Sequence, residues 1–261
     1  MRVLITGAAG AIGREIAAEL ARDHELRLID KTPLPKQPSI VADLARCTDA
    51  SHWKRWWKTG RCSWRRAFEG TDVVIHLAAN VDTEAVWEEL LPNNVDATWN
   101  VIETAARYRV PRIIFASSNW AVKAMERKLA PACYRPDGPK INSDVPPCPI
   151  NPYGLSKAYG ELAGRMAIDS QKIQSFVAVR IGYFGTLQPN NEELHSMWIG
   201  ADDIRRLFRC CVEAEFDGFH IVYGTSAQKT APYDLTYTRQ LLSWFPLQLP
   251  TDPAAATPSP S

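Results

Sequence analysis

Along the first two thirds of the chain, short apolar runs alternate with longer stretches in which apolar residues recur every three or four positions. RVLIT (2–6), ELRLID (25–30), SIVADL (39–44), DVVIHLAA (72–79) and PRIIFASS (111–118) are the short runs, rich in Val, Ile and Leu. They predict strands, and because they are nearly continuously apolar they predict strands buried on both faces. IGREIAAELAR (12–22) and NNVDATWNVIETAARY (93–108) carry the 3.6-residue period of helices. Strand and helix alternate without hairpin signals, so the expected fold is α/β, a doubly wound parallel sheet with helices on both faces. In such sheets the ligand crevice opens at the carboxyl ends of the strands where chain order reverses. Strand-end residues therefore become site candidates.

After SFVAVRIG (175–182) the alternation weakens to a helical ADDIRRLFRCCVEA (201–214), a short HIVYG (220–224) and DLTYTRQLLSWF (234–245). The expected division is a nucleotide-binding domain over 1–180, a small substrate-binding cap over 181–248 and a disordered tail over 249–261, the last rich in Pro, Ala, Ser and Thr. One insertion, about 50–67, departs from the pattern. Its core HWKRWWKTGRCSWRR (52–66) holds six Lys or Arg, four Trp and no acid. Basic residues among aromatics suit single-stranded nucleic acid or a membrane surface; they equally suit a helix, broken at Gly60, that packs its tryptophans against the sheet or a partner subunit. A formal net charge of +1 over 261 residues supplies no wider basic surface, so packing is the expectation, with no nucleic acid and no membrane as partner.

Composition adds little else. No apolar run approaches the roughly 20 residues of a membrane span, and MRVLITGAAG lacks the layout of a signal peptide, so a cytoplasmic protein is expected. Cysteines at 47, 62, 133, 148, 210 and 211 form no C-x-x-C pair and read as free thiols, with no metal site. None of the five histidines has the spacing of a ligand or a case as a base.

Two motifs carry chemistry. TGAAGAIGRE directly follows the first strand and opens a helix, with Gly7, Gly10 and Gly13 placed for a tight turn, close approach to a pyrophosphate and close helix packing. Asp30 ends the second strand at the spacing of a ribose-binding carboxylate, which favours NAD over NADP; Lys31 beside it weighs the other way. Asp43 meets the adenine amine or caps a loop. In NPYGLSKAYGEL (151–162), Tyr153 and Lys157 stand four residues apart, so a helix projects both from one face.

GAAGAIG after the first strand, HLAA after the fourth, SS ending the fifth and Tyr-x-x-x-Lys opening the next helix together resemble the short-chain dehydrogenase/reductase superfamily, extended type, the NAD-dependent epimerase/dehydratase family. FASSN, RPDG, VRIG and QPNN followed by Trp198 and Asp202-Asp203 are similar to uronate dehydrogenases, which oxidise the anomeric carbon of a uronic acid to a lactone with NAD. The resemblance implies a Rossmann-type fold and a homodimer joined through the 93–108 helix and the helix of Tyr153. It implies Tyr153 as general base, Lys157 as its supporting cation, and Ser118 or, second, Ser117 as hydrogen-bond donor to the reacting oxygen. Gly7, Ala9, Gly10, Ala11, Ile12, Gly13, Asp30, Asp43, Leu44, Leu77, Ala78, Ala79, Asn94 and Ile181 would join Tyr153 and Lys157 around NAD, Asn94 also being an ordinary helix N-cap. Asn80, Ser118, Asn119, Tyr183 and Glu193 would meet the substrate.

The departures concern that substrate. Glu193 falls where uronate dehydrogenases place the arginine that grips the carboxylate, Tyr183 falls at a serine, Asn80 and Val81 replace a serine, and Trp120 replaces a histidine. A glutamate repels a carboxylate. A neutral sugar or polyol fits better, unless Arg135 or Lys123 supplies positive charge. The competing readings are a nucleotide-sugar epimerase or dehydratase, whose C-terminal domain is usually longer, and a catalytically silent NAD-binding regulator, which tends to lose the Tyr/Lys pair.

Overall fold

The computed structural model describes residues 1–35, 37–46, 63–187 and 191–250. Most of the tryptophan-rich insertion, with Cys47, Cys62 and Gly60, and the tail from 251 onward lie outside the described residues. Within them, seven parallel strands form one sheet in the order β3-β2-β1-β4-β5-β6-β7. These are β1 (Arg2–Thr6), β2 (Glu25–Asp30), β3 (Ile40–Val41), β4 (Val73–His76), β5 (Arg112–Ser118), β6 (Ser175–Ile181) and β7 (Gly218–Gly224).

The apolar runs become strands because side chains alternate between two dry faces. Val3, Ile5, Ile75 and Val177 join one core cluster, whereas Leu4, Val74, Ile113 and Phe115 join the other. Helix α1 (Ala11–Leu20) packs on the first cluster through Ile16, Ala17 and Leu20. The chain leaves β1 outward to β2 and β3, then returns to lay β4 on the other side of β1. Consecutive crossovers diverge there, so the crevice of the fold opens above β1 and β4.

Three elements differ from their expected extents. The SIVADL run pairs only at Ile40–Val41, because Asp43 turns the chain by accepting from the Ala45 amide at 3.0 Å. The helix expected from residue 93 begins earlier, as α2 (Trp87–Leu90), and reaches α3 (Ala97–Arg107) through a wider π turn, Leu91–Asp96, at which Pro92 has no amide hydrogen to donate. The stretch expected as a cap divides. Its HIVYG segment belongs to β7, which pairs with β6 along its whole length, from Ser175↔Gly218 to Ile181↔Gly224. Its helix α7 (Ala201–Glu213; α4, α5 and α6 are Lys123–Leu129, Pro152–Asp169 and Glu192–Met197) covers the sheet beside α1. Ile204, Leu207, Phe208 and Cys211 form the buried stripe that requires a sheet beneath it. Arg209 ties this helix to Glu19 at 2.9 Å and Asp23 at 2.8 Å.

In the described part of the insertion, Ser63–Phe68 forms a 3-10 turn whose Trp64 is buried in the core beneath β2 and α3. Among the described residues, no helix is long and apolar enough to cross a membrane, and no group of three His, Cys, Asp or Glu is placed to hold a metal.

Candidate active site

The site begins at the end of β1. Gly7 adopts φ 71°, a left-handed conformation natural only to glycine, and a Cβ there would stand 2.6 Å from the Ala78 nitrogen beyond β4. Gly13, one turn into α1, lies so close under this loop that a Cβ would reach 2.3 Å from the Gly7 carbonyl oxygen. Gly10 caps α1 without any side-chain bond, leaving the first amides of the helix, and the positive end of its dipole, directed at the crevice. A phosphate fits such a cradle.

Asp30 closes one end. Its Oδ2 accepts from the Ala9 amide and its Oδ1 from the Thr32 amide, both at 2.9 Å, so the carboxylate is fixed beside the glycine loop. Lys31 reaches away from it: its Nζ donates to Asn93 Oδ1 at 2.6 Å and stands 3.3 Å from Asp43. From here a cleft of about 920 Å³ crosses the carboxyl ends of the strands, past Leu77, Ala78 and Ala79, to Ser118, Tyr153, Lys157 and Ile181.

Helix α5 places the Tyr/Lys pair. Asn151 caps it by accepting from the Gly154 amide at 2.8 Å, and Pro152 stands at its first turn, where a missing amide hydrogen costs nothing. Both functional side chains then face β5. Lys157 Nζ donates to the Ala116 carbonyl at 2.9 Å and lies 5.8 Å from the centre of the Tyr153 ring. Burial lowers the lysine pKa to about 8. Burial also raises that of Tyr153, which is 7% exposed, while the Ser118 hydroxyl beside it pulls it back.

The two serines at the end of β5 are used differently. Ser118 Oγ accepts from the Trp120 amide at 3.2 Å and donates to Asn119 Oδ1 at 3.1 Å, next to the tyrosine. Ser117 Oγ donates instead to the buried carboxylate of Glu161 at 2.6 Å. Asn119 lies in the cleft wall, its amide donating to Met197 Sδ at 3.0 Å.

Asn94 and Asn80 stand outside the cleft lining. Asn94 is 2% exposed, accepts from the Asn80 amide and donates to the Asn80 carbonyl and Ser156 Oγ, so its amide group clamps the segment after β4 to α5. Asn80 spends its own side-chain oxygen on the Asp82 amide. Asn94 has no polar atom left over to aim at a ligand, whereas Asn80 keeps its side-chain NH2, outside the cleft lining. His76 is likewise internal, held between the hydroxyls of Thr6 at 2.7 Å and Thr98 at 3.0 Å, and burial, with the nearby Lys157 charge, depresses its pKa to about 3.

Trp120 packs against the cluster of Tyr153, and the cleft lining also includes Lys123, Tyr183, Phe184, Glu193 and Leu194. Tyr183 donates its hydroxyl to the Thr186 carbonyl at 3.0 Å. Lys123, almost fully buried, donates to Glu193 at 2.6 Å and also to Glu126. Glu126 further accepts from the hydroxyls of Tyr134, at 2.6 Å, and Tyr233. Arg135 is exposed and takes no part in the cleft. Of the cluster around Glu126, Lys123 and Glu193 are among the residues expected from the sequence, and Glu126, Tyr134 and Tyr233 are not. The cluster's one local signal is the three-residue spacing of Lys123 and Glu126 within KAMERK, which puts both on one helical face. Cys133, Cys148, Cys210 and Cys211 are free thiols away from the cleft.

The model of the NAD dependent epimerase/dehydratase family matches residues 3–200. The NAD-dependent glucose-6-phosphate dehydrogenase of Haloferax volcanii is 35% identical over 251 residues, covering 94% of this chain and 92% of that protein. The L-arabinose 1-dehydrogenase (NAD(P)(+)) of the same organism is 30% identical over 258 residues, covering 94% and 96%. Among solved structures, a mutant of the uronate dehydrogenase from Agrobacterium tumefaciens complexed with NAD superposes with a TM-score of 0.76 at 30% identity, covering 100% of this chain and 91% of that one.

Proposed function

We propose, for a chain that belongs to the NAD dependent epimerase/dehydratase family, that it is a dehydrogenase oxidising a secondary alcohol or hemiacetal carbon of a carbohydrate with NAD. The observation that carries this reading is the placement of Tyr153, Lys157 and Ser118 together at one end of a cleft whose other end is the glycine cradle and Asp30. The dehydrogenase relatives, all of which act on sugars, support it. A silent regulator has no need of a buried tyrosine and lysine aimed at the same space, and epimerases enter only as more weakly similar relatives, such as a putative UDP-glucose 4-epimerase at 28% identity over 61% of the chain.

The residues present fit NAD. Gly7, Ala9, Gly10, Ala11, Ile12 and Gly13 would hold the pyrophosphate, Asp30 the adenosine ribose, Asp43 and Leu44 the adenine, and Leu77, Ala78, Ala79 and Ile181 the nicotinamide half. Bound there, NAD supplies the hydride acceptor. The chain's own part is acid-base work and placement. Tyr153 takes the proton of the substrate hydroxyl, and Ser118, rather than Ser117, steadies the same oxygen by hydrogen bonding. Lys157 favours the phenolate by its charge, and its remaining donors suit ribose hydroxyls. Asn94 and Ser117 act behind the site, as struts.

The partner of stated chemistry is thus a sugar, and a second partner is another copy of the chain, in a cytoplasmic setting. Trp87, Leu91 and Trp99 on the α2–α3 run and Leu155, Leu162 and Met166 on α5 remain exposed on neighbouring helices, an apolar face suited to pairing with itself. The reading is tested by mixing the protein with NAD and a panel of aldoses, uronates and polyols while following the absorbance of the reduced cofactor. Turnover with a sugar is expected, and Tyr153→Phe should lower kcat by about 10²- to 10⁴-fold with NAD binding retained. Full activity in that variant would remove the tyrosine from its role.

A further inference from the structure

We propose that Lys123 and Glu193 form the substrate-recognition pair of this cleft and that they select neutral aldoses against uronates and sugar phosphates. The proposal rests on the dehydrogenase reading above and adds the substrate class. Overall similarity leaves that class open, since relatives at 30 to 35% identity are named for a sugar phosphate, a neutral pentose and uronates. The decision falls to the charges on the cleft wall.

Among the described residues, Lys123 and Glu193 are the charged side chains of the cleft lining that runs on from Ser118 and Trp120; Lys157, beside Tyr153, keeps its charge while donating to the neutral Ala116 carbonyl. A lysine in a sugar cleft invites the reading of an anion site. Here its charge is spoken for twice. Lys123 Nζ donates to Glu193 at 2.6 Å and to Glu126 behind it, and its side chain is only 7% exposed. The two phenols that also donate to Glu126, Tyr134 and Tyr233, have pKa values raised by their burial and by that carboxylate, so they remain neutral donors and add no positive charge. Two carboxylates thus share one ammonium. The Lys123–Glu193–Glu126 cluster carries one formal negative charge in excess, with Glu126 buried behind the lining and Glu193 at its surface.

An incoming carboxylate or phosphate would meet like charge and would have to displace Glu193 from Lys123. A sugar hydroxyl meets no such barrier. Glu193 is about half exposed and bonded through one oxygen only, leaving the other to accept from a hydroxyl, while the third proton of the ammonium can donate to a ring or hydroxyl oxygen. Trp120, whose ring centre lies 5.4 Å from Lys123 Nζ, supplies an apolar wall alongside.

The test compares sugars that differ only at C6: glucose with glucuronate and glucose 6-phosphate, and galactose with galacturonate, each with NAD. The expected kcat/KM favours the neutral member by about tenfold or more, the scale of one uncompensated like-charge contact near a protein surface. Glu193→Gln should shrink that preference and Glu193→Arg should reverse it toward the uronates, with the circular dichroism of the fold unchanged. An anionic sugar preferred by the natural protein, or a preference untouched by Glu193→Arg, overturns the assignment. Calorimetric binding of the same sugars to the protein with NADH carries the comparison independently of turnover. Neutral sugars that bind more tightly but are not oxidised would uphold the recognition pair and overturn the dehydrogenase reading, whereas tighter binding of the anions, or no binding of any of them, overturns the pair.

Discussion

Arg180 and Glu161 form a two-point ion pair inside the protein, Nε to Oε1 at 2.9 Å and Nη2 to Oε2 at 2.8 Å, with side chains 0% and 1% exposed. Three elements meet there. Glu161 belongs to α5, Arg180 to β6, and Ser117 of β5 donates to the same carboxylate. Tyr153, Lys157 and Glu161 follow one another at four-residue intervals, so the pair sets the rotation of α5 against the strand that ends in Ser118. Removing one partner strands a charge that water cannot reach. Glu161→Ala is therefore expected to cost about 3 to 5 kcal/mol in urea unfolding, whereas Glu161→Leu combined with Arg180→Met should regain much of that loss, because the apolar pair leaves no charge behind. Equal losses in the single and double variants would contradict this account.

Asp30 is the residue we propose to set cofactor choice. Its oxygens hold the amides of Ala9 and Thr32, and a cofactor 2′-phosphate brought beside it would face a fixed negative charge, while Lys31 is drawn off toward Asn93 and Asp43. Asp30→Asn keeps an amide oxygen to accept from the loop and removes the charge. The ratio of kcat/KM for NAD over NADP should fall by about 10- to 100-fold, with the larger part of the change in the NADP value. Asp30→Ala, which strips the loop of its acceptors as well, should also raise KM for NAD. Steady-state kinetics with both cofactors decide the matter, and an unchanged ratio in Asp30→Asn would move the discriminating charge elsewhere.

What could be read from the chain, and what could not, follows the range of the interactions. Strands β1, β4, β5 and β6 announce themselves because a parallel strand buried on both faces is a largely apolar run, while β2, ELRLID, is only partly buried and mixes charged residues into its apolar ones. The glycine loop and the Tyr153/Lys157 pair are also local, each complete within one turn of chain. By contrast HIVYG resembles an isolated strand until its pairing with β6, some 40 residues earlier, makes it the sheet's edge. Lys123 meets Glu193 across 70 positions and Glu126 meets Tyr233 across 107, so only the folded chain reveals that the lysine on the cleft wall is already paired. For Asn94, helix position alone fits a ligand contact and a strut equally; three hydrogen bonds to Asn80 and Ser156 show where its amide goes.

His76 makes the fold sensitive to mild acid. The folded pKa is depressed to about 3, first by burial and then by the Lys157 charge, whereas an unfolded chain presents an ordinary histidine near 6.5. Above pH 6.5 neither state is protonated and the group contributes nothing to the pH dependence. Below it the unfolded chain takes up a proton that the folded chain refuses, so stability falls as pH drops from 6.5 toward 3. The slope from this one residue approaches about 1.4 kcal/mol per pH unit. Carboxylates join in below pH 5, so the clean window is pH 5 to 6.5. Replacing the ring in His76→Leu leaves the hydroxyls of Thr6 and Thr98 without their shared partner and should lower stability at pH 8. The same variant should nevertheless lose stability less steeply than the natural protein between pH 6.5 and 5. Urea unfolding at half-unit steps of pH measures both effects, and parallel pH profiles for the two proteins would mean that His76 can be protonated without unfolding the chain.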